Sequence, residues 1–69
     1  MSFKRNKLLY ALARQGVRVL REGSKHTIVV SSSGKRTSLP RHGDVDRITA
    51  RGIARQLGLD LELFEKDVR

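Results

Sequence analysis

The 69-residue chain contains no cysteine and no tryptophan, and its only aromatic residues are Phe3, Tyr10 and Phe64. Without cysteine, disulfides, thiol nucleophiles and the usual zinc fingers are excluded; stability must come from the core alone, and the composition suits a reducing cytoplasm. With so few aromatics the chain is poorly equipped to stack single-stranded bases, which leaves backbone contacts as the main source of any affinity for nucleic acid. Long apolar runs are also missing: the longest, Leu8 to Ala13, is six residues and is closed by Arg14. That is short for a signal-peptide core and far too short to span a bilayer, so a soluble, unexported protein is expected. No glycine-rich phosphate cradle and no metal-ligand spacing among the acidic residues is found, which disfavours nucleotide hydrolysis and metal-dependent nuclease chemistry.

Acidic residues are scarce in one half only. Residues 1–43 hold ten Lys or Arg against Glu22 alone, a net charge of +9, whereas residues 44–69 hold five against six, a net charge of −1. A surface tuned for solubility mixes both signs along the chain. A concentrated positive field instead draws phosphate backbones and makes affinity fall steeply with salt. The chain length makes a single domain, residues 1–69, the expected organisation, and a chain of this size buries only roughly 60% of the surface its unfolded state exposes.

The elements follow from periodicity and punctuation. Ser2 can cap a first helix over about residues 3–15, in which Leu8, Ala11 and Leu12 recur at helical spacing and Gly16 sits at the terminator position. Lys4, Arg5 and Lys7 in its first two turns oppose the helix dipole, so either an external anion or solvation accounts for them. Val17, Val19, Arg18 and Arg21 suggest a strand, Glu22-Gly23-Ser24 a turn, Lys25 to Ser31 a second strand rich in β-branched residues, and Lys35 to Leu39 a third, ended by Pro40. The Ser31-Ser32-Ser33-Gly34 cluster is the turn between them. Asp44 or Asp46 can cap a helix from about Ile48 to Leu57, with Ile48, Ile53, Ala54 and Leu57 apolar and Arg47, Arg51 and Arg55 in one stripe, of which Arg51 and Arg55 either meet phosphates or form a solvated face paired with Asp44 or Glu62. Gly58 stops it, and Asp60 starts a last amphipathic turn with Leu61, Leu63 and Phe64 available for packing. The expected fold is α+β, an α-β-β-β-α arrangement of the double-stranded-RNA-binding type with its helices on one face of a three-stranded antiparallel sheet.

Both histidines fall in the basic half, His26 at the start of the second strand and His42 after Pro40-Arg41. A histidine's ordinary pKa of about 6.5 suits general-base work at neutral pH. Period-two geometry places His26 with Ile28 and Val30, and Lys25 with Thr27 and Val29. His26 would then share the more apolar face, where it is either a base or a hydrogen-bonded histidine at the edge of the core.

In order and spacing, five segments resemble the HicA toxins, bacterial messenger-RNA interferases of toxin–antitoxin systems. They are the Lys7-Leu8-Leu9 helix ending near Gly16, the Gly23-to-His26 segment, Gly34-Lys35-Arg36-Thr37, Leu39-Pro40-Arg41-His42, and the Thr49-to-Arg55 helix leading to Leu57-Gly58-Leu59. The resemblance implies a metal-independent endoribonuclease that cleaves messenger RNA, needs no cofactor, arrests growth and is neutralised by a HicB-like antitoxin in the cytoplasm. The family's catalytic histidine carries over to His26. Many members place it directly after serine, whereas Lys25 intervenes here. A one-residue slip turns a strand side chain to the opposite face, and a bulge in the preceding turn would restore it.

The chemistry asked of such a site is deprotonation of a ribose 2′-hydroxyl, in-line attack on phosphorus and stabilisation of charge on the phosphoryl oxygens. His26 is the candidate base and Lys25, Lys35, Arg36 and Arg41 the candidate RNA-binding cations. His42 would either protonate the leaving oxygen or position phosphate. Two other classes share the charge and the fold: a non-catalytic double-stranded-RNA-binding module, and an interaction domain that docks an acidic protein.

Overall fold

The computed structural model describes residues 2–41 and 43–69. Its elements run β1 (Ser2–Lys4), α1 (Arg5–Arg14), β2 (Arg18–Glu22), β3 (His26–Val30), β4 (Arg36–Pro40), β5 (Asp44–Asp46), α2 (Arg47–Gln56) and α3 (Leu61–Val68). The expected α-β-β-β-α series is present, with β2, β3 and β4 forming an antiparallel sheet in that order. Two features surround it: β1 and β5 pair as a separate antiparallel ribbon, and α3 runs for eight residues where only a final turn was expected.

The ribbon corrects the start of the first helix. Ser2 lies in β1 opposite Asp46, and Lys4 takes the N-cap position with no side-chain hydrogen bond. Extended backbone here turns Phe3 against Val45 and the core while Ser2 and Lys4 stay exposed. Burying an aromatic ring outweighs a serine cap worth about 1 kcal/mol. Of the two candidate caps for α2, Asp46 is the one used: its carboxylate accepts from the backbone N–H groups of Ile48 (3.0 Å) and Thr49 (3.3 Å), while Asp44 lies in β5. Asp60 caps α3 in the same way through Leu63 N–H, at 3.1 Å. Gly16 and Gly58 take the left-handed backbone conformation, with φ of 83° and 73°, and end α1 and α2. In both ends the following residue reaches back to the helix, Val17 N–H to Leu12 and Leu59 N–H to Ala54, which satisfies carbonyls the helix leaves open.

One hydrophobic cluster draws on all three helices, the three-stranded sheet and the ribbon: Leu8, Ala11 and Leu12 of α1, Val29 and Leu39 of the sheet, Val45, then Ala50, Ile53, Ala54 and Leu57 around α2, and Phe64 and Val68 of α3. Two expected core residues are not in it. Ile48 is 80% exposed and Leu63 is 39% exposed. The stripe that α2 buries begins at Ala50, and Ile48, two residues earlier, stands about 200° round the helix from it. Leu63 is displaced about 100° from Phe64, whose ring fills the core.

Candidate functional site

The two faces of the three-stranded sheet differ. In β3, Thr27 and Val29 are buried beneath the helices, while His26 is exposed and Ile28 half-buried on the other side. His26 does share a face with Ile28, as period two requires. That face is the open one, so His26 does not border the core; the buried side has accepted Thr27 instead. A polar residue is tolerated there because its hydroxyl is satisfied. The Arg5 guanidinium donates to Thr27 Oγ1 at 2.8 Å and to Glu22 Oε1 at 3.3 Å, and Thr27 Oγ1 donates to the same Glu22 oxygen at 3.2 Å. Arg5 therefore has an internal partner and does not await an external anion. Its backbone N–H is bonded to the Gly43 carbonyl at 2.9 Å, which ties the β1–α1 junction to the segment after β4. Lys7, another cation of this helix start, donates to the carbonyl of Arg69 at 3.2 Å.

The turn that delivers His26 is closed by Gly23 N–H donating to the His26 carbonyl at 2.8 Å. A Cβ at Gly23 would stand 3.3 Å from that same oxygen, which is why the smallest residue occupies the position. Arg41 staples the turn from the other strand: its guanidinium donates to the Gly23 carbonyl at 2.7 Å and its backbone N–H to the Lys25 carbonyl at 3.2 Å. His26 is paired with Pro40. Lys25, His26 and Arg41, all exposed, thus gather at one end of the meander.

Lys35 and Arg36 stand at the other end. Arg36 pairs with Val30, four residues along β3 from His26 and roughly 13 Å away along the strand. The Lys35 ammonium lies against Gly58, 3.1 Å from where a Cβ there would sit, at the carboxyl end of α2 where the helix dipole favours a cation. Of the six residues singled out, the structure brings three together and separates two; His42 lies outside the described residues.

Sequence reasoning missed two cations. Arg18 pairs with Val30 and Val19 with Val29, but Arg21 pairs with Ile28 and Glu22 with Thr27, so the register shifts by one at Leu20. This is a bulge in β2 rather than in the turn before His26. In a regular strand residues three apart point to opposite faces. The extra residue puts Arg18 and Arg21 on the same face, the open one, with His26 and Ile28. The odd spacing inside a strand was the only signal.

The arginines of the helices are placed differently. Arg47 and Arg51 both face Glu65, at 3.7 and 3.5 Å, rather than Asp44 or Glu62, and Arg14 faces Asp67 at 3.5 Å. Among the described residues no helix is long and apolar enough to cross a membrane.

Residues 5–59 match the model of the family described as the HicA toxin of bacterial toxin-antitoxin systems. No curated protein matches the chain. The matched span covers the whole meander, both faces of it, and α2 to its end; the chain belongs to this family and is the toxin of a toxin–antitoxin pair, which implies an antitoxin as its partner.

Proposed function

We propose that this HicA-family toxin is an endoribonuclease that cleaves messenger RNA in the cytoplasm, with His26 as its single catalytic histidine and without a metal. The observation that carries this reading is the position of His26: exposed at the head of β3, turned away from the core, and grouped with Lys25 and Arg41 around one stapled turn. The imidazole takes the proton of a ribose 2′-hydroxyl; the 2′-oxygen attacks the adjacent phosphorus, the bond to the 5′-oxygen breaks, and that oxygen leaves with a proton returned by the imidazolium or by water. A cyclic phosphate and a free 5′-hydroxyl remain. Lys25 and Arg41 hold the phosphoryl oxygens as charge builds on them, and Lys35 and Arg36 take the RNA farther along the meander. With one histidine of this kind the enzyme should be slow.

Replacing His26 with alanine should lower cleavage of messenger RNA about 100- to 10,000-fold, the usual share of a general base, with the circular dichroism spectrum and RNA affinity retained. Wild-type cleavage should persist in EDTA. A folded His26→Ala protein that cleaves undiminished would falsify the catalytic assignment and leave an RNA-binding module.

The same exposure leaves His26 open to control by a protein that covers it. A HicB-like antitoxin with an acidic patch would be steered to the basic meander and cover it. In the inactive complex, modification of His26 by diethyl pyrocarbonate, followed by mass spectrometry, should be much slower than in the free toxin. Equal rates would place the antitoxin elsewhere on the molecule.

A further inference from the structure

We propose that Arg21 and Arg18, with Arg36, form a phosphate track for single-stranded RNA across the open face of the sheet, and that the bulge at Leu20 aligns this track with His26. The inference rests on the ribonuclease reading and extends it to residues outside the turn. Register carries the argument. Gly23 stands opposite His26 through the hydrogen bond that closes the turn, Arg21 is opposite Ile28, and Arg18 opposite Val30, itself opposite Arg36. Successive rows on one face are about 7 Å apart along the strands, comparable with the spacing of successive phosphates in an extended strand of RNA. Arg21 is the diagonal neighbour of His26, a separation that a side chain as long as arginine spans.

Charge gives the direction. Glu22, the only acidic residue of the meander, is turned to the buried side, where Arg5 and Thr27 occupy it. Arg18, Arg21 and Arg36 make no ion pair among the described residues, and all three are exposed. The floor between them is Ile28, half-buried, and Val30, 8% exposed, so the face is shallow and suits a backbone laid across it. Without the extra residue, Arg21 would turn to the helical side, where Glu22 now sits, and the row next to His26 would have no cation. The guanidinium forks are suited to bidentate phosphate contact.

The experiment uses full-length protein and a fluorescein-labelled, mixed-sequence RNA oligonucleotide. Affinity is measured against salt in the non-cleaving His26→Ala background. Arg21→Gln and Arg18→Gln should each flatten the log–log slope by about 0.7, and Arg51→Gln, on the helical side, should leave it unchanged. In the cleaving chain, Arg21→Gln should lower kcat at least about 10-fold, as expected for loss of a donor to developing charge, and Arg21→Lys should recover part of it. Arg18→Gln should raise KM and spare kcat. Unchanged slopes in folded variants overturn the track; unchanged slopes together with lost antitoxin association would assign the face to the protein partner. If Arg21→Gln does not fold, Arg18→Gln and Arg36→Gln decide the question by the same slopes. Flattened slopes in a chain that shows no His26-dependent cleavage would sink the ribonuclease reading and leave the track standing.

Discussion

Two populations of arginine divide this small protein. On the helical side every arginine that meets an acid does so inside the fold: Arg5 with Glu22, Arg14 with Asp67, Arg47 and Arg51 with Glu65. On the open face of the sheet, the face that carries His26, Arg18, Arg21 and Arg36 make no ion pair among the described residues. The same residue type, at a similar density, supports the fold in one place and leaves a field for a ligand in the other. A net charge therefore says less than which cations have their acids nearby. Of the acids that remain, Asp46 and Asp60 cap helices, Asp44 lies in β5 and Glu62 in the first turn of α3, so none belongs to the three-stranded sheet and the positive field is concentrated there.

The largest break in this comparison should come from Arg5→Met. The substitution keeps the apolar stem but removes the guanidinium from which both Thr27 and Glu22 accept, leaving the buried Thr27 hydroxyl to donate to Glu22 without the donor it had, and Glu22 without its ion-pair partner. A loss of about 1–3 kcal/mol is expected, seen in urea as a lower midpoint at unchanged slope. His26→Ala, one residue from Thr27 but on the other face, should move the same midpoint by less than about 0.5 kcal/mol. An unfolding midpoint that falls equally in both variants would erase the distinction between a face that holds the fold and a face that meets the substrate.

The series of elements was legible because its signals are local: helical spacing in α1 and α2, two glycines at the helix ends, a β-branched run in β3. The ribbon of β1 and β5 was not. Each strand is three residues long, and they pair across some forty intervening residues, so nothing nearby announces them. For the site, His26 and its neighbours Lys25 and Arg41 could be singled out from the chain, and the grouping of these three depends on the short turn between β2 and β3. His26 groups with Ile28 and Val30 as period two requires, but which of the two faces is buried is not legible in the strand, because Ile28 and Val30 are more apolar than Thr27 and Val29. Long-range pairing decided it, since Arg5 supplies Thr27 with a partner that the sequence of the strand does not contain. The alignment of Arg18 with Arg21 required the bulge, a property of two strands together. Arg5 reads as a surface cation in the sequence because the acid it meets is seventeen residues away.

Glu65→Gln probes the comparison from the side where the smallest effect is expected. The Glu65 carboxylate is largely buried, yet its Oε1 has no hydrogen bond; Arg47 and Arg51 approach it at 3.7 and 3.5 Å with side chains about half exposed. Ion pairs of that kind contribute up to about 1 kcal/mol, because solvent screens the arginines and the geometry lacks a short donor contact. Neutralising the acid should lower stability by no more than that, and the two guanidinium groups it releases should remain on the helical side, away from the sheet face that carries His26. The salt dependence of RNA binding is the sharper readout, because it reports cations in contact with phosphate and ignores those that are merely near. It should be the same in Glu65→Gln and wild type. A steeper slope in the variant would show Arg47 or Arg51 reaching the RNA once freed, and the binding surface would then have to wrap from the open face onto α2.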